Sequence, residues 1–250
     1  MLNQQTLSKL RSMRLGAMAE AFEAQMRQPN LVSLSFEDRL GLLVDHEWSS
    51  RQDRKLQRLL SEAKLRLPAC MEDVDYSQAR GLDQPLLRSL ANCDWIRDHL
   101  NLVVEGPTGA GKTFLACALA NAACRNGFSA RYYRMSRLLS EIGLARGDGS
   151  YPKLLAKLAR YQLLVLDDWG ISPLSAAESR EILEVVDDRS QSSSTLLASQ
   201  LPPDHWHTAL GDPSAADAIL DRLVHNAHMI RLKGESMRKV KSNLKPNVTQ

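Results

Sequence analysis

Residues 106–113 read Gly-Pro-Thr-Gly-Ala-Gly-Lys-Thr, and this stretch decides the fold. It matches in full the pattern GxxxxGK followed by Ser or Thr. An apolar run at 102–105 precedes it and a helix-like run, FLACALANAACRNG, follows it. Glycines let a loop curl so that its N–H groups point at phosphate oxygens, and the N-terminus of the next helix adds partial positive charge. The stretch therefore predicts a phosphate-binding loop rather than a chance glycine turn.

The loop supplies the predicted ligands of a nucleotide. Lys112 is expected to reach the β- and γ-phosphates, and the Thr113 hydroxyl is expected to bind Mg²⁺. ATP and Mg²⁺ are therefore the predicted cofactors. The predicted nucleotide-binding residues are Gly106, Pro107, Thr108, Gly109, Ala110, Gly111, Lys112 and Thr113.

A second motif supports the first. Residues 163–168 read Leu-Leu-Val-Leu-Asp-Asp, an apolar strand that ends in two carboxylates, and Asp167 comes 55 positions after Lys112. Asp167 is predicted to hold Mg²⁺, and Asp168 to orient or deprotonate the attacking water. Many NTPases have Glu at the second position. Because Asp168 is one methylene shorter, the sequence predicts slow hydrolysis, or hydrolysis that depends on assembly.

Composition indicates an ordinary packed protein. The chain has 250 residues, of which 44% are hydrophobic and 24% charged, so one catalytic core and a smaller attached region are expected. No stretch approaches the roughly 18 apolar residues of a membrane span, and the N-terminus has no signal-peptide pattern. A soluble, cytoplasmic protein with no membrane partner is predicted. The cysteines lack CxxC spacing and are expected to be reduced thiols: Cys70, Cys93, Cys117 and Cys124.

The order of helices and strands predicts an α/β core after a helical region. Up to about residue 67 the apolar residues recur at helical spacing, with Pro29 ending a first helix and Ser35 and Asp38 resembling the capping box of a second. From about Tyr76 short apolar runs alternate with longer helical ones, which is typical of a parallel sheet. The predicted strands are 102–105, 130–133, 163–166, 195–199 and 229–232. The predicted domains are a helical N-terminal domain at 1–67, a linker at 68–78, an α/β domain at 79–240 and a basic flexible tail at 241–250.

Polar residues beyond the second motif are further candidates for the site. The run 195–200 ends in Ser199 and Gln200, at the sheet edge where Asp167 ends, so a polar group there could sense the γ-phosphate. Arg222 lies in an amphipathic helix, and Arg238 follows the last strand. Two such arginines suit stabilisation of charge on a transferring phosphoryl group. The alternatives are a surface ion pair of Arg222 with Asp221 or Asp217, and a tail charge for Arg238.

Five stretches together carry a family resemblance: GPTGAGKT, LLVLDDWG, STLLASQLP, ILDRLVHNA and GESMRK. They resemble IstB, the helper ATPase of certain bacterial insertion sequences, and the similarity runs nearly end to end. IstB belongs to the initiator group of AAA+ ATPases, alongside the helicase loader DnaC and the initiator DnaA. The resemblance implies an AAA+ P-loop core with five parallel strands and a small or residual helical lid, preceded by a small all-helical domain.

The resemblance also implies roles in an ATP site shared between subunits. Lys112, Thr113, Asp167 and Asp168 match the Walker positions, and Ser199 or Gln200 matches the first sensor. Arg222 matches a finger that enters the next subunit's site, and Arg238 matches the second sensor. A finger supplied by a neighbour implies a homo-oligomer that forms with ATP.

Two basic segments are candidate DNA contacts. In the helical domain they are Arg51, Arg54, Lys55 and Arg58, within a run that continues to Lys64 and Arg66. Between the second and third strands, where the family's central channel is lined, the candidates include Arg146, Lys153 and Lys157, with Arg134, Arg137 and Arg160. Contact would be to phosphates and strongly salt-dependent. A solvated helix face is the plain alternative.

The leading functional hypothesis is a transposition helper. It assembles on duplex DNA with ATP and recruits and stimulates the transposase of the same element. The alternatives are a DnaC-like replicative helicase loader, a monomeric small-molecule kinase and an ATP-gated scaffold that scarcely hydrolyses ATP. The histidine pairs lack partners at metal-ligand spacing, and Trp169 and Trp206 are expected to be packing residues.

Overall fold

The computed structural model describes residues 2–28, 33–77, 80–234, 236 and 237. The chain forms two compact units, residues 1–58 and 59–250. Pro29, Arg238 and the tail predicted at 241–250 lie outside the described residues.

The first unit is helical, as predicted, but its first helix is divided. Helices α1 (Leu2–Ser12) and α2 (Gly16–Arg27) replace the single helix expected before Pro29. The break lies at Arg14, which has a left-handed φ of 60°. A non-glycine residue in that conformation cannot continue a right-handed helix. The apolar spacing did not reveal the break because it continues through both helices.

Helix α3 (Phe36–Ala63) begins where the capping signal predicts. The Ser35 hydroxyl accepts a hydrogen bond from the Asp38 backbone N–H at 3.1 Å and donates to the Asp38 carboxylate at 2.8 Å. The helix starts in the first unit and ends in the second. Within the first unit, the Glu47 carboxylate accepts the Met18 N–H at 3.0 Å, which ties α3 to α2.

The second unit contains the predicted sheet of five parallel strands, in the order β2-β3-β4-β1-β5. Leu163, Leu164 and Val165 are fully buried, as expected for strands covered on both faces. All five strands were predicted from the sequence, and their ends differ by at most three residues. They are β1 (Asn101–Glu105), β2 (Ala130–Arg134), β3 (Leu163–Trp169), β4 (Ser194–Ser199) and β5 (Ala227–Arg231).

Helices connect these strands, and side-chain caps start several of them. Asp83, Ser175 and Asp212 cap three helix N-termini, with a full capping box at Ser175. Short 3-10 turns lie at Met71–Asp73 and Pro203–His205. The helices of this unit are α4 (Gln84–Ala91), α5 (Asp94–Arg97), α6 (Lys112–Arg125), α7 (Met135–Asp148), α8 (Tyr151–Arg160), α9 (Ala176–Arg189), α10 (Trp206–Ala209) and α11 (Pro213–Val224).

The division between the units falls at 58/59, whereas the sequence placed it at 67/68. Leu59 and Ala63, on the last turns of α3, are buried. The Arg131 guanidinium on β2 donates to the Glu62 carbonyl at 3.0 Å. The end of α3 and the residues after it therefore belong to the sheet unit, because their contacts are with β2 and β3.

Tryptophans fill the core beside the sheet. The rings of Trp169 and Trp206 are buried, with centroids 5.4 Å apart, so the prediction of packing residues is confirmed. Cys93, Cys117 and Cys124 are buried, Cys70 is half-buried, and all four are outside disulfides. Among the residues that the structure describes, no helix has both the length and the apolar character needed to cross a bilayer.

Candidate nucleotide site

The phosphate-binding loop joins the end of β1 to the start of α6. Gly106, Gly109 and Gly111 have φ angles of 151°, 83° and 102°, which glycine adopts without steric cost. A Cβ on Gly106 would lie 2.6 Å from the Leu232 carbonyl oxygen, and one on Gly109 would clash with the Ser236 side chain. These glycines are required both by the curl of the loop and by the chain that packs on it.

The side chain of Lys112, the first residue of α6, is enclosed by the loop, and the residue is 8% exposed. Its Nζ donates to the carbonyl oxygens of Gly106 at 2.7 Å and Pro107 at 2.9 Å. The ammonium group is thus fixed inside the loop, beside the first turn of α6. This is where the partial positive charge of the helix N-terminus and the side-chain charge add to each other.

Asp167 is the most buried acidic group at the carboxyl edge of the sheet, at 1% exposure. Its Oδ2 accepts from the Thr113 hydroxyl at 2.8 Å and the Tyr132 hydroxyl at 2.6 Å, and its Oδ1 accepts from the Asp168 N–H at 2.9 Å. Burial, followed by this bond to Asp167, raises the pKa of Tyr132, so its hydroxyl stays protonated. Sequence reasoning missed Tyr132, since a tyrosine within an apolar strand carries no local signal of a polar role.

The Thr113 and Asp167 oxygens fit a magnesium ion. Mg²⁺ prefers oxygen ligands and usually keeps several waters and phosphate oxygens, so one hydroxyl and one carboxylate from the protein are sufficient. The two oxygens are already in contact at 2.8 Å. An ion held there would neutralise charge on the phosphates that face Lys112.

Asp168 is turned out of the strand by its backbone. Its φ is 63°, and the β3–β4 register is irregular between Asp167 and Trp169. Its Oδ2 accepts from Arg134 Nε at 2.8 Å. The sequence grouped Arg134 with possible DNA contacts, but the structure places its side chain in the nucleotide site.

A cavity of about 350 Å³ opens beside the loop, Thr113 and Asp168. This is within the usual range of small-molecule sites, roughly 300–1,000 Å³. Asp75 and Phe114 contribute to its wall, and Met237 lies at its edge. The Met237 N–H donates to the Gly109 carbonyl at 2.9 Å, so the segment after β5 closes on the loop.

Arg80 is a second residue that sequence reasoning missed. It is buried, and its guanidinium donates to the Ala110 carbonyl at 3.1 Å. A Cβ on Gly111 would lie 2.9 Å from the same group. Arg80 therefore supports the loop at Ala110 and Gly111.

The structure separates the two candidates for the first sensor. Ser199 is fully buried, and its hydroxyl lies within bonding distance of the Trp169 and Leu201 carbonyls and the Trp206 indole N–H. Its polar capacity is thus used in the core, which argues against a sensor role. Gln200 is exposed, lines the cavity and accepts from the Thr108 hydroxyl at 2.7 Å. Gln200 remains the candidate for the first sensor.

Arg222 lies at the opposite edge of the sheet. It is near the end of α11, and its carbonyl accepts from the Asn101 side chain at the first residue of β1 at 2.9 Å. Its guanidinium pairs with Asp187 on α9, not with Asp221 or Asp217. Arg222 is therefore remote from the loop of its own chain.

The predicted DNA contacts in the first unit are only partly available. Arg51 and Arg54 both pair with Glu47, at 2.7 and 3.6 Å. Lys55 and Arg58 are exposed, and no salt bridge involves either within the part of the chain that the structure describes. Glu47 thus offsets one of the four positive charges of Arg51, Arg54, Lys55 and Arg58.

The second basic segment also divides into paired and available charges. Arg146 pairs with Glu181 at 3.4 Å and Glu184 at 3.2 Å and lies over the Tyr151 ring. It is not a free charge, and we do not retain it as a DNA contact. Lys153 and Lys157 are exposed on α8 and line a surface depression with Arg160.

Comparison with known proteins identifies the family. A family model of IstB-like ATP binding proteins matches residues 8–245. The chain belongs to this family. It is 50% identical over 239 residues to an insertion sequence ATP-binding protein of Sinorhizobium fredii, covering 96% of this chain and 98% of that protein. It is also 50% identical to an insertion sequence ATP-binding protein of Pseudomonas fluorescens, covering 81% of this chain and 88% of that one.

Solved structures give the same fold for this IstB-like protein. DnaA from Aquifex aeolicus, bound to AMPPCP, has a TM-score of 0.58 at 18% identity, covering 71% of this chain and 54% of that chain. DnaI has a TM-score of 0.56 at 20% identity, covering 70% and 93%. The AAA+ P-loop fold expected from the motifs is thus confirmed.

Proposed function

We propose that this IstB-like protein is a Mg²⁺-dependent ATPase that assembles on duplex DNA and recruits the transposase of its own insertion sequence. The main support is the arrangement at the carboxyl edge of the sheet, where Lys112, Thr113 and Asp168 line one cavity and the Thr113 hydroxyl donates to Asp167. The family's ATP-binding name and the insertion sequence names of the relatives agree with it.

Each residue has a definite part in hydrolysis. Lys112 binds the β- and γ-phosphates, and Thr113 and Asp167 hold the metal. Mg²⁺, when bound, draws charge from the transferring phosphoryl group. Asp168 orients the water and accepts its proton as the water oxygen bonds to the γ-phosphorus, while the bond from the γ-phosphorus to the β,γ-bridging oxygen breaks and ADP leaves. Gln200 is positioned at the loop to contact the terminal phosphate.

The surroundings of Asp168 support the expectation of slow turnover in the isolated chain. Asp168 accepts a charge-assisted hydrogen bond from Arg134 at 2.8 Å. A carboxylate held in such a hydrogen bond is less free to orient water. Hydrolysis therefore requires Asp168 to leave Arg134, in addition to spanning the missing methylene.

Arg222 fits a role in another copy of the chain. It lies at the amino edge of the sheet, whereas the loop lies at the carboxyl edge. A side chain so placed can serve only a neighbouring subunit's nucleotide, which requires a homo-oligomer. In such an assembly Arg222 exchanges Asp187 for the developing charge on the phosphoryl group.

The DNA surface is assigned to charges that stay exposed. Lys153, Lys157 and Arg160 in the sheet unit, with Lys55 and Arg58 in the helical unit, suit contacts to phosphates. Such contacts carry no sequence information, so binding is tolerant of sequence and weakens steeply with salt. Target choice then depends on DNA shape or on the transposase.

A helicase loader is the second candidate. Its support is the likeness to DnaI, which at 20% identity concerns the fold alone. The insertion sequence proteins are 50% identical to this chain. The two functions differ in partner and in preference for single or double strands.

Particle mass by light scattering tests the proposal. The wild-type chain is measured with and without duplex DNA, in Mg·ATP and in Mg·ADP, beside Lys112→Ala and the exposed control Arg88→Ala. We expect a large complex only with ATP and DNA, lost in Lys112→Ala and kept in Arg88→Ala. A monomer under every condition contradicts assembly and favours the monomeric kinase. Growth on single strands in preference to duplex favours the loader.

A further inference from the structure

A guanidinium group of unassigned role lies beside the two Walker carboxylates. Arg66 NH1 is 3.8 Å from Asp167 Oδ2 and 3.9 Å from Asp168 Oδ2. In the sequence Arg66 belongs to the basic run that was predicted to meet DNA. In the structure it is the last charge of that run, and it faces the nucleotide site.

The backbone at Arg66 is fixed against the helix that follows the phosphate-binding loop. The Cys117 thiol is buried on α6, one turn after Thr113. Burial raises the pKa of this thiol, and the backbone amides of Leu67 and Arg66, which point at it, oppose that rise. Leu67 itself lines the cavity. Arg66 is thus attached to the site through its main chain.

The ion pairs of its side chain with the two carboxylates, by contrast, are long. Arg66 is 39% exposed, and its distances to both carboxylates exceed those of a normal hydrogen bond. Arg134 holds Asp168 at 2.8 Å. The Tyr132 hydroxyl is the main hydrogen-bond partner that raises the pKa of Arg66. The guanidinium can therefore turn without breaking a tight ion pair.

Asp167 attracts Arg66 less strongly once the metal is bound. Mg²⁺ held by Thr113 and Asp167 would place two positive charges on the oxygen that Arg66 approaches. Like charges at such short separation repel each other. Asp168 is already paired with Arg134 at 2.8 Å, so the negative group left for Arg66 beside the metal is the γ-phosphate of ATP, which ADP lacks.

We propose that Arg66 is a ligand of the γ-phosphate supplied in cis. It exchanges the Asp167–Asp168 pair for the terminal phosphate when Mg·ATP is bound, so that it distinguishes ATP from ADP at the point where the chain leaves α3. This inference rests on the proposed function as a Mg²⁺-dependent ATPase. It assigns to Arg66 a role separate from those of Gln200 and of Arg222, which serves another copy.

Equilibrium binding of Mg·AMPPNP and Mg·ADP to the full chain tests the proposal by titration calorimetry. The variants are Arg66→Ala, Arg66→Gln and the exposed control Arg88→Ala. Loss of one charge-assisted hydrogen bond lowers affinity by about ten- to a hundred-fold. We expect that loss for AMPPNP in both Arg66 variants, with ADP affinity within about twofold of wild type and Arg88→Ala unchanged. Arg66→Gln keeps most of the side chain's length and apolar stem, and thermal melting confirms that each variant is folded.

Three outcomes overturn the inference. Equal loss for both nucleotides would make Arg66 a structural residue. Unchanged affinities for both AMPPNP and ADP would leave it a surface charge, and tighter Mg²⁺ binding with both affinities unchanged would make it only a counter-ion of the carboxylates. The proposed function fails separately: if wild type does not bind Mg·AMPPNP, or Lys112→Ala binds it as well as wild type, the site is not an ATP site.

Discussion

The two edges of the central sheet differ in how they use charge. At the carboxyl edge Lys112, Arg66 and Arg134 point inward at carbonyl and carboxylate oxygens, around the buried Asp167. At the amino edge Arg222 is part-exposed, and Lys157 with Arg160 faces outward beside Ser129, just before β2. The charges at the carboxyl edge are arranged to hold a nucleotide within one chain. The charges at the amino edge are available to DNA or to another copy of the chain.

This difference separates two kinds of effect. A change at the carboxyl edge should impair each subunit by itself, whether or not DNA or another copy is present. A change at the amino edge should leave nucleotide binding intact and impair only what depends on assembly or DNA. The following variants test that separation.

Asp168→Asn should have the largest effect. Removing a general base or water-orienting group costs about a hundred- to a thousand-fold in turnover, and the loss should be equal with and without DNA. Binding of Mg·AMPPNP should stay within a few-fold of wild type. Phosphate release measures the first and calorimetry the second, with the exposed Asp188→Asn as the matched control. Unchanged turnover would instead support the ATP-gated scaffold.

Arg222→Ala should lower DNA-stimulated turnover by about a hundred-fold, the lower end of the effect of losing one group that stabilises charge in the transition state, while nucleotide binding is kept. A mixture of two variants tests whether Arg222 acts in a neighbouring subunit. Lys112→Ala supplies an intact Arg222, and Arg222→Ala supplies an intact loop, so an equal mixture of the two inactive variants should recover part of the activity.

Asp187→Asn is the control, because it removes the ion pair but keeps the arginine. It should retain turnover within about twofold. Failure of the mixture to recover activity, with both variants folded, would mean that Arg222 does not act across subunits.

The smallest effect is expected on the DNA surface. Lys153→Ala with Lys157→Ala should weaken duplex binding by about tenfold and reduce the slope of log K against log salt by about 1.8, or about 0.9 for each lost phosphate contact. Fluorescence anisotropy over a salt series measures both.

Arg146→Ala removes an equal charge from a residue already paired with Glu181 and Glu184. It should leave the salt slope unchanged. If Arg146→Ala lowers the slope as much as either lysine variant, ion pairing in the free chain does not decide which charges meet DNA.

The sequence predicted what short stretches determine. The loop 106–113 carries its own conformational signal in its glycines, and the central strands at 102–104 and 163–166 are continuous apolar runs followed by acidic residues. The position of Asp167 beside Thr113 also followed, because the carboxyl ends of parallel strands meet at one edge of the sheet. These features need no knowledge of distant packing.

The residues that were missed are those whose role depends on distant partners. Tyr132 is 35 positions from Asp167, and Arg80 is 30 from Ala110. Arg66 lies about a hundred positions before the carboxylates, in a run of basic residues that looks like a solvated helix face. Arg14 divided a helix through its backbone angle alone. Charge and periodicity do not distinguish such residues from surface residues.

Ser236 and Met237 pack on Gly109, and this contact has a consequence for biosynthesis. β1 is flanked in the sheet by β4 and β5, both made long after it, and the segment that closes on the loop comes later still. After the loop has been synthesised, more than a hundred further residues must be added before the pocket is closed. Contacts between distant parts of a chain form late in folding. A nascent chain should therefore be unable to bind ATP, and unable to join its neighbours, until translation has passed residue 237.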